Sequence, residues 1–235
     1  MNQVDHIARV LAAHAAGLAS LGVPYEIIPV VNGSTDGSFE ACASAAAAIA
    51  SIRPFEEERS GYGRAIIRGL REATGDVLCF ANSARTSTAD LVYVLRFALR
   101  NPEFVAKANR STYDNVGRRI GSIGFNLLCR SLFGLRCWDM NGTPKVFPRR
   151  FERLMQLTQV DTMIDVEFNA ICYWYGYPMI ELPLAATPRH GGKSLTNVRR
   201  AFDLYIDAIR FAPVFRRTHV RASTMATTIA DDQAG

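Results

Sequence analysis

Residues 26–38 read EIIPVVNGSTDGS, an apolar run with strand propensity that breaks into small, polar turn formers. Residues 25–31 favour a strand, NGSTDG supplies a turn, and the Ala-rich residues 37–50 favour a helix. Upstream, Val4, Ile7, Val10, Leu11, Leu18 and Leu21 fall near helical spacing until Gly22 and Pro24 end the segment. Downstream, residues 52–55 read as a short strand, 61–73 as a helix opened by Gly61 and Gly63, 76–81 as a strand, 90–100 as a helix and 104–108 as a strand. Strands that alternate with helices at this interval imply parallel pairing with helical crossovers, so the expected fold class is α/β. Ligands of such a fold gather at the carboxyl edge of the sheet, where NGSTDG and NSARTS (82–87) both fall.

The second half is less regular. Helices are expected at 119–133, from 149, at 165–175 and, amphipathic, at 192–210; strands are expected at 144–147 and 179–184. After residue 218 the chain turns small and polar, which suggests a frayed tail. The 235 residues suffice for one large core. A net charge of +5 favours anionic partners, but the basic residues are not interleaved with aromatics in one stripe, which argues against nucleic acid. Five cysteines without CxxC spacing argue against a disulfide framework or zinc site and for a reducing compartment. No signal peptide is read at the start, and the longest apolar stretch, ACASAAAAIASI, is too short and too small-sided to span a bilayer. The absence of GxGxxG counts against a Rossmann dehydrogenase.

Several groups carry chemistry. Asn32, Gly33, Ser34, Thr35 and Asp36 sit between strand and helix, where free N–H groups and the helix dipole favour an anion or a nucleotide edge; helix capping by Ser34 or Asp36 is the equally open alternative. The pair Gly61 and Gly63 lacks the third glycine and lysine of a phosphate loop and reads better as a turn. TPRHGGKS (187–194) sets Arg189, His190 and Lys193 around two glycines, which suits a phosphate or a solvated basic loop. Arg199, Arg200 and Arg210 beside Phe202, Tyr205, Ile206 and Ile209 describe a membrane-surface helix or, more commonly, one packed on the core with a charged outer face. Asp161, Asp165 and Glu167 precede an apolar helix; Asp165 suits an N-cap and Glu167 a buried functional carboxylate. Asp139 lies in the bend CWDMNGTPK, and a structural anchor fits both it and Glu167.

Taken in order, VVNGSTDGS, GYGRAIIRGLREATGDVLCFANS, DMNGTPKVFPR, DVEF, GYPMIELPL and RHGGKS resemble glycosyltransferase family 2 over residues 2–211, in its branch of dolichyl-phosphate and polyprenyl-phosphate mannosyl- and glucosyltransferases. The resemblance implies a GT-A-like fold, a mostly parallel sheet flanked by helices, over 1–211, with a basic then polar, flexible tail at 212–235. It implies transfer of a sugar from a nucleoside diphosphate sugar to an acceptor such as polyprenyl phosphate, by a cytoplasmic protein peripheral at the inner membrane face. By position, Asn32, Gly33, Ser34, Asp36, Gly63 and Asn82 would bind the nucleotide sugar. Arg189 and Lys193 would face phosphates and, with Asp139 and Glu167 towards the acceptor, form the catalytic set.

Two departures set this chain apart from that pattern. The family's Asp-x-Asp, which holds Mg²⁺ or Mn²⁺, is replaced by Asn82, Ser83 and Ala84, and an Asp-Asp before Gly-Ser by Val31 and Asn32. The alternative reading is therefore a catalytically inactive nucleotide-sugar-binding homologue. Asn2 and Gln3 also align with the last two residues of the family's first strand, a central one, whose loss would leave two neighbours unpaired. A recorded start that is too late and a truncated remnant are the two explanations.

Overall fold

The computed structural model describes residues 2–110, 116–184 and 198–232. Helix α1 (Ile7–Ala19) buries Ile7, Leu11, Ala15 and Leu18 on one stripe, and packs on α2 (Ser38–Ala48) and α4 (Thr88–Arg100). Its approach to α4 is close: a Cβ at Gly17 would stand 2.3 Å from Thr88 Cγ2, and His14 Nδ1 lies 2.9 Å from Thr88 Oγ1. At the start of α4 the N-cap Ser87 Oγ accepts from the Asp90 N–H and donates to the Asp90 carboxylate.

Strand β1 (Val30–Asn32) pairs in parallel with β2 (Phe55–Glu57). Both differ from the expected 25–31 and 52–55. Residues 25–29 contribute only a bridge between Ile27 and Ile52, because Pro29 has no N–H to donate where the ladder would continue; its carbonyl still accepts from Phe55.

The second sheet has the order β3 (Val77–Phe80), β5 (Lys145–Pro148), β4 (Val105–Arg110), β6 (Met179–Leu184). Strand β5 runs antiparallel to both neighbours, and β4 pairs with β6 in parallel over six residues. Three of the four strands thus share one direction. Helix α4 packs on β4 and β5, and α3 (Tyr62–Glu72), α5 (Val116–Phe133), α6 (Ile164–Trp174) and α7 (Val198–Asp232) share with β3, β4 and β5 a larger apolar cluster in which Phe80, Phe147, Phe168 and Phe215 are buried.

Among the described residues β1 and β3 belong to different sheets. Residues 2–4 join the turns that follow them: the N–H groups of Asn2, Gln3 and Val4 donate to Ser34 Oγ, Ser38 Oγ and Asp36 Oδ2, and Ser83 Oγ donates to Gln3 Oε1.

Two further elements differ from expectation. The helix expected from 149 is a single 3₁₀ turn, Glu152–Met155, set off from β5 by the Phe151 N–H bond to the Pro148 carbonyl. The closing helix does not stop at 210 but runs from Val198 to Asp232 through Pro213, so residues 212–232 continue it. Ala208, Ala212 and Phe215 carry its buried face past the expected end, and that burial outweighs the one donor the proline removes. All five cysteines are free.

Candidate functional site

The site begins where β1 meets its turn. Asn32 Nδ2 donates to the Gly61 carbonyl over 2.7 Å and so ties the end of β1 to the start of α3. Gly33 has φ +54°, and a Cβ there would sit 2.9 Å from Ser60 Cβ, so this backbone lies against its neighbour in a shape that suits glycine. Ser34 Oγ is held by Asn2. Asp36 stands one residue before the N-cap Gly37 of α2, and accepts from the Ser38 N–H and hydroxyl and from Val4 N–H. Burial works against its charge, but the Ser38 and Val4 hydrogen bonds prevail and hold its pKa below the usual aspartate value. Asp36 therefore serves the helix start, in a turn that stands at the carboxyl end of a parallel pair.

Asn82 follows β3. Its Oδ1 accepts from the Ala84 N–H at 3.0 Å, and its carbonyl accepts from the Arg85 and Thr86 N–H groups. Through Ser83, Gln3 and Ser38 this turn connects to NGSTDG, so the structure brings Asn82 and Asp36 into one network.

Gly63 lies in the first turn of α3, where a Cβ would be 2.1 Å from the Gln159 carbonyl oxygen. Gly61 meets the Val160 carbonyl in the same way, at 2.6 Å, and the Arg64 N–H donates to that carbonyl. The two glycines let α3 abut the 159–161 backbone. That backbone is held in turn by Glu167, a buried residue of α6 whose carboxylate accepts from the Thr158 N–H and hydroxyl and from the Gln159 N–H, at 2.7 to 3.0 Å. Glu167 is thus a loop anchor that positions α3. The neighbouring cavity of about 270 Å³, lined by Glu167, Gln159, Arg153, Tyr175, Phe215 and His219 among others, is bounded by α7 and not by the β1 and β3 turns.

Asp139 belongs to a different network. Its carboxylate takes a two-pronged bond from Arg110, Nε to Oδ2 at 2.8 Å and Nη2 to Oδ1 at 2.9 Å, and accepts the Arg110 N–H. Burial raises its pKa, yet Arg110 and then Lys107 more than offset this and leave it below the usual range. Beside it lie the fully buried Lys107, bonded to the Asp139 carbonyl and to Glu181 at 3.0 Å, and the fully buried Lys145, bonded to Asp165 and to the Met140 carbonyl. Three cations face three carboxylates. Burial penalises charge on both members of the Lys145–Asp165 pair, pushing the lysine down and the aspartate up. Asp165 is therefore a buried ion-pair partner inside α6 and not an N-cap; Asp161, whose Oδ1 accepts from the Met163 N–H, serves the start of that helix.

Arg189, His190 and Lys193 lie outside the described residues. The sequence reading missed Lys107, Arg110, Lys145 and Glu181. A signal was present: only three of the 27 basic residues are lysines, and Lys107 lies between Ala106 and Ala108 while Lys145 opens the apolar run Val146–Phe147.

The residues at the position of the family's metal motif do not fit a divalent ion. Asn82 Oδ1 is bonded within its own turn, Ser83 is bonded to Gln3, and the Ala84 side chain has no ligand atom. Hard cations take carboxylate oxygens, and no cluster of three His, Cys, Asp or Glu suited to a metal occurs among the described residues.

The family model described as glycosyl transferase family 2 matches residues 2–165. Undecaprenyl-phosphate 4-deoxy-4-formamido-L-arabinose transferases from Klebsiella pneumoniae subsp. pneumoniae and Pectobacterium carotovorum subsp. carotovorum are 22% and 21% identical over 212 residues, 88% of this chain and 64% of theirs. The chain therefore spans less than two thirds of the length of these relatives. Glucosyl-3-phosphoglycerate synthase from Mycobacterium tuberculosis superposes with a TM-score of 0.64 in its complex with phosphoglyceric acid, at 14% identity, covering 92% of this chain and 76% of that one. In its complex with Mn²⁺, uridine diphosphate and glucosyl-3-phosphoglycerate the TM-score is 0.61, again at 14% identity, with 88% and 81% covered. These likenesses establish a GT-A-type fold. With residues 2–165 matched, well over half its length, the chain belongs to glycosyl transferase family 2.

Proposed function

We propose that this chain transfers a sugar from a nucleoside diphosphate sugar to a polyprenyl phosphate, acting at the cytoplasmic face of a membrane. The observation that carries the reading is the joining of the turns after β1 and β3 at one edge, inside the segment that matches the family. Its polyprenyl-phosphate relatives supply the acceptor class.

In the reaction an oxygen of the acceptor phosphate attacks the anomeric carbon while the bond from that carbon to the diphosphate breaks, so the nucleoside diphosphate leaves with the electron pair and the anomeric centre inverts. A phosphate with a second pKa near 6 is mostly ionised at neutral pH and needs no strong general base. This agrees with the engagement of the two carboxylates: Asp139 is paired with Arg110, and Glu167 holds residues 158–159. We assign both to positioning, the nucleotide to Asn32, Gly33, Ser34, Asp36 and Asn82, with Gly63 seating α3 beside it, and the phosphates to Arg189 and Lys193. Residues 1–211 form the transferring unit.

A panel of UDP- and GDP-sugars incubated with polyprenyl phosphate, with and without Lys193→Ala, tests the proposal. Transfer that falls in the variant supports it. No transfer from any donor, with binding retained, would favour the second reading, a nucleotide-sugar-binding homologue without turnover, for which the loss of the acidic motif at 82–84 speaks.

A further inference from the structure

Helices α5 and α7 lie side by side. Tyr205 donates to the Gly121 carbonyl, its ring meets Phe125 edge-on at 5.7 Å, and Arg216 donates to the Leu132 carbonyl. Each helix turns one apolar stripe to the core, Phe125, Cys129 and Phe133 on α5 and Ala208, Ala212 and Phe215 on α7. Each also carries a second apolar stripe that nothing among the described residues covers. On α5 this is Ile120, Ile123 and Leu127, exposed by 67, 45 and 49%; on α7 it is Phe202 and Ile209, exposed by 66 and 54%. The spacings of three, four and seven put each set on one helix face. Single exposed apolar residues are ordinary, but five on two contacting helices form a patch of the kind that marks an interaction site.

Its charge identifies the partner. Residues 116–133 and 198–219 contain eight arginines against two acids, Asp203 and Asp207. Arg119, Arg210, Arg216 and Arg217 are exposed. Burial first, and then the neighbouring Asp161 and Asp203, raise the Asp207 pKa above the usual aspartate value against the opposing pull of Arg210. Arg130 stacks on the half-exposed Trp138 ring at 3.9 Å. A second copy of this face would set arginine against arginine. An anionic bilayer would take the apolar side chains at the acyl boundary and the guanidinium groups at its phosphates. No described helix is long and apolar enough to cross a membrane, so the fit is to a surface.

We infer that the outward face of the α5–α7 pair docks on an anionic lipid surface, with Ile120, Ile123, Leu127, Phe202 and Ile209 as the inserted residues. This deepens the reading above by saying how the chain reaches a lipid-borne acceptor, although the surface itself stands on exposure and charge.

Flotation of the full chain with phosphatidylcholine vesicles, and with vesicles that also contain phosphatidylglycerol, tests it. Binding is expected on the anionic vesicles, weak on the neutral ones and reduced by salt. Phe202→Asp combined with Ile209→Asp should lower it about tenfold or more, Arg210→Glu combined with Arg217→Glu should also lower it, and Tyr93→Asp, an exposed residue of α4, should leave it unchanged. Circular dichroism and calorimetric titration of each variant with the panel of UDP- and GDP-sugars separate lost docking from lost fold. Equal binding to both vesicle types, no binding, variants that bind like the parent, or self-association through this face that Phe202→Asp abolishes would each overturn the inference. If vesicle binding fails while nucleotide-sugar binding persists, only the docking surface is lost; the converse removes the transferase reading and leaves the surface standing.

Discussion

Ser83 donates its hydroxyl to Gln3 Oε1 over 2.9 Å, and this bond ties the turn after β3 to the segment that holds the turn after β1. Two sheets that share no ladder among the described residues are thereby joined at the edge where a nucleotide sugar would lie. A neutral, part-buried hydrogen bond contributes about 0.5–1.5 kcal/mol. Gln3→Ala and Ser83→Ala should each destabilise by about that much, and a double-mutant cycle should show positive coupling between them. Additive effects in denaturant unfolding would mean that the bond does not join the halves.

The Lys145–Asp165 pair is fully buried on the lysine side, and its cost is set by what remains when one partner goes. Lys145→Met alone should destabilise by about 3–5 kcal/mol, because Asp165 is left uncompensated. Lys145→Met with Asp165→Leu should recover much of the loss. If the double variant were as unstable as the sum of the single ones, the network would be contributing stability rather than specifying geometry.

Asp139 makes stability depend on acid. Its folded pKa lies below the unfolded value of about 3.9. The sign follows: its contribution is fully present above that value and is lost as pH falls through the lower, folded pKa. Asp139→Asn should be less stable at neutral pH, and its stability should fall less than the parent's between about pH 5 and pH 3. Parallel pH profiles for parent and variant in thermal unfolding would remove Asp139 from the acid limb.

Two glycines of α3 should respond in opposite ways to alanine. At Gly63 the new Cβ would meet the Gln159 carbonyl oxygen at 2.1 Å, backbone that Glu167 holds in place, so Gly63→Ala should cost at least about 1–3 kcal/mol and weaken nucleotide-sugar binding. At Gly69 the nearest atom would be Val30 Cγ2 at 3.5 Å, an ordinary contact, and Gly69→Ala should be neutral or stabilising by up to about 1 kcal/mol through helix propensity. Chemical denaturation of the two variants side by side checks the contrast.

The α/β alternation was legible because amphipathic periodicity and turn residues act locally: helices α1 to α6 and strands β3 to β6 lie within a few residues of where pattern alone puts them. The short β1 was not, although Pro29 marks the missing donor. Nor was the length of α7, since Phe215 holds it by long-range packing that a local pattern does not express. At the site, spacing identified the NGSTDG and NSARTS turns but not their connection through Gln3, which spans 80 residues. Asp139 and Glu167 were recognisable as acids in bends; that each is consumed by its partners depends on Arg110 and Thr158, which no sequence motif ties to them.

The central claim is that the joined turns attract a doubly phosphorylated sugar carrier without a carboxylate-held cation. Calorimetric titration with UDP- and GDP-sugars, in Mn²⁺ and again in EDTA, tests it most directly. The account predicts that one nucleotide sugar binds with the same affinity in both conditions, and that Asn82→Asp with Ala84→Asp introduces a dependence on Mn²⁺. Binding that EDTA abolishes in the parent chain, or the absence of binding to every donor in a folded sample, would contradict it.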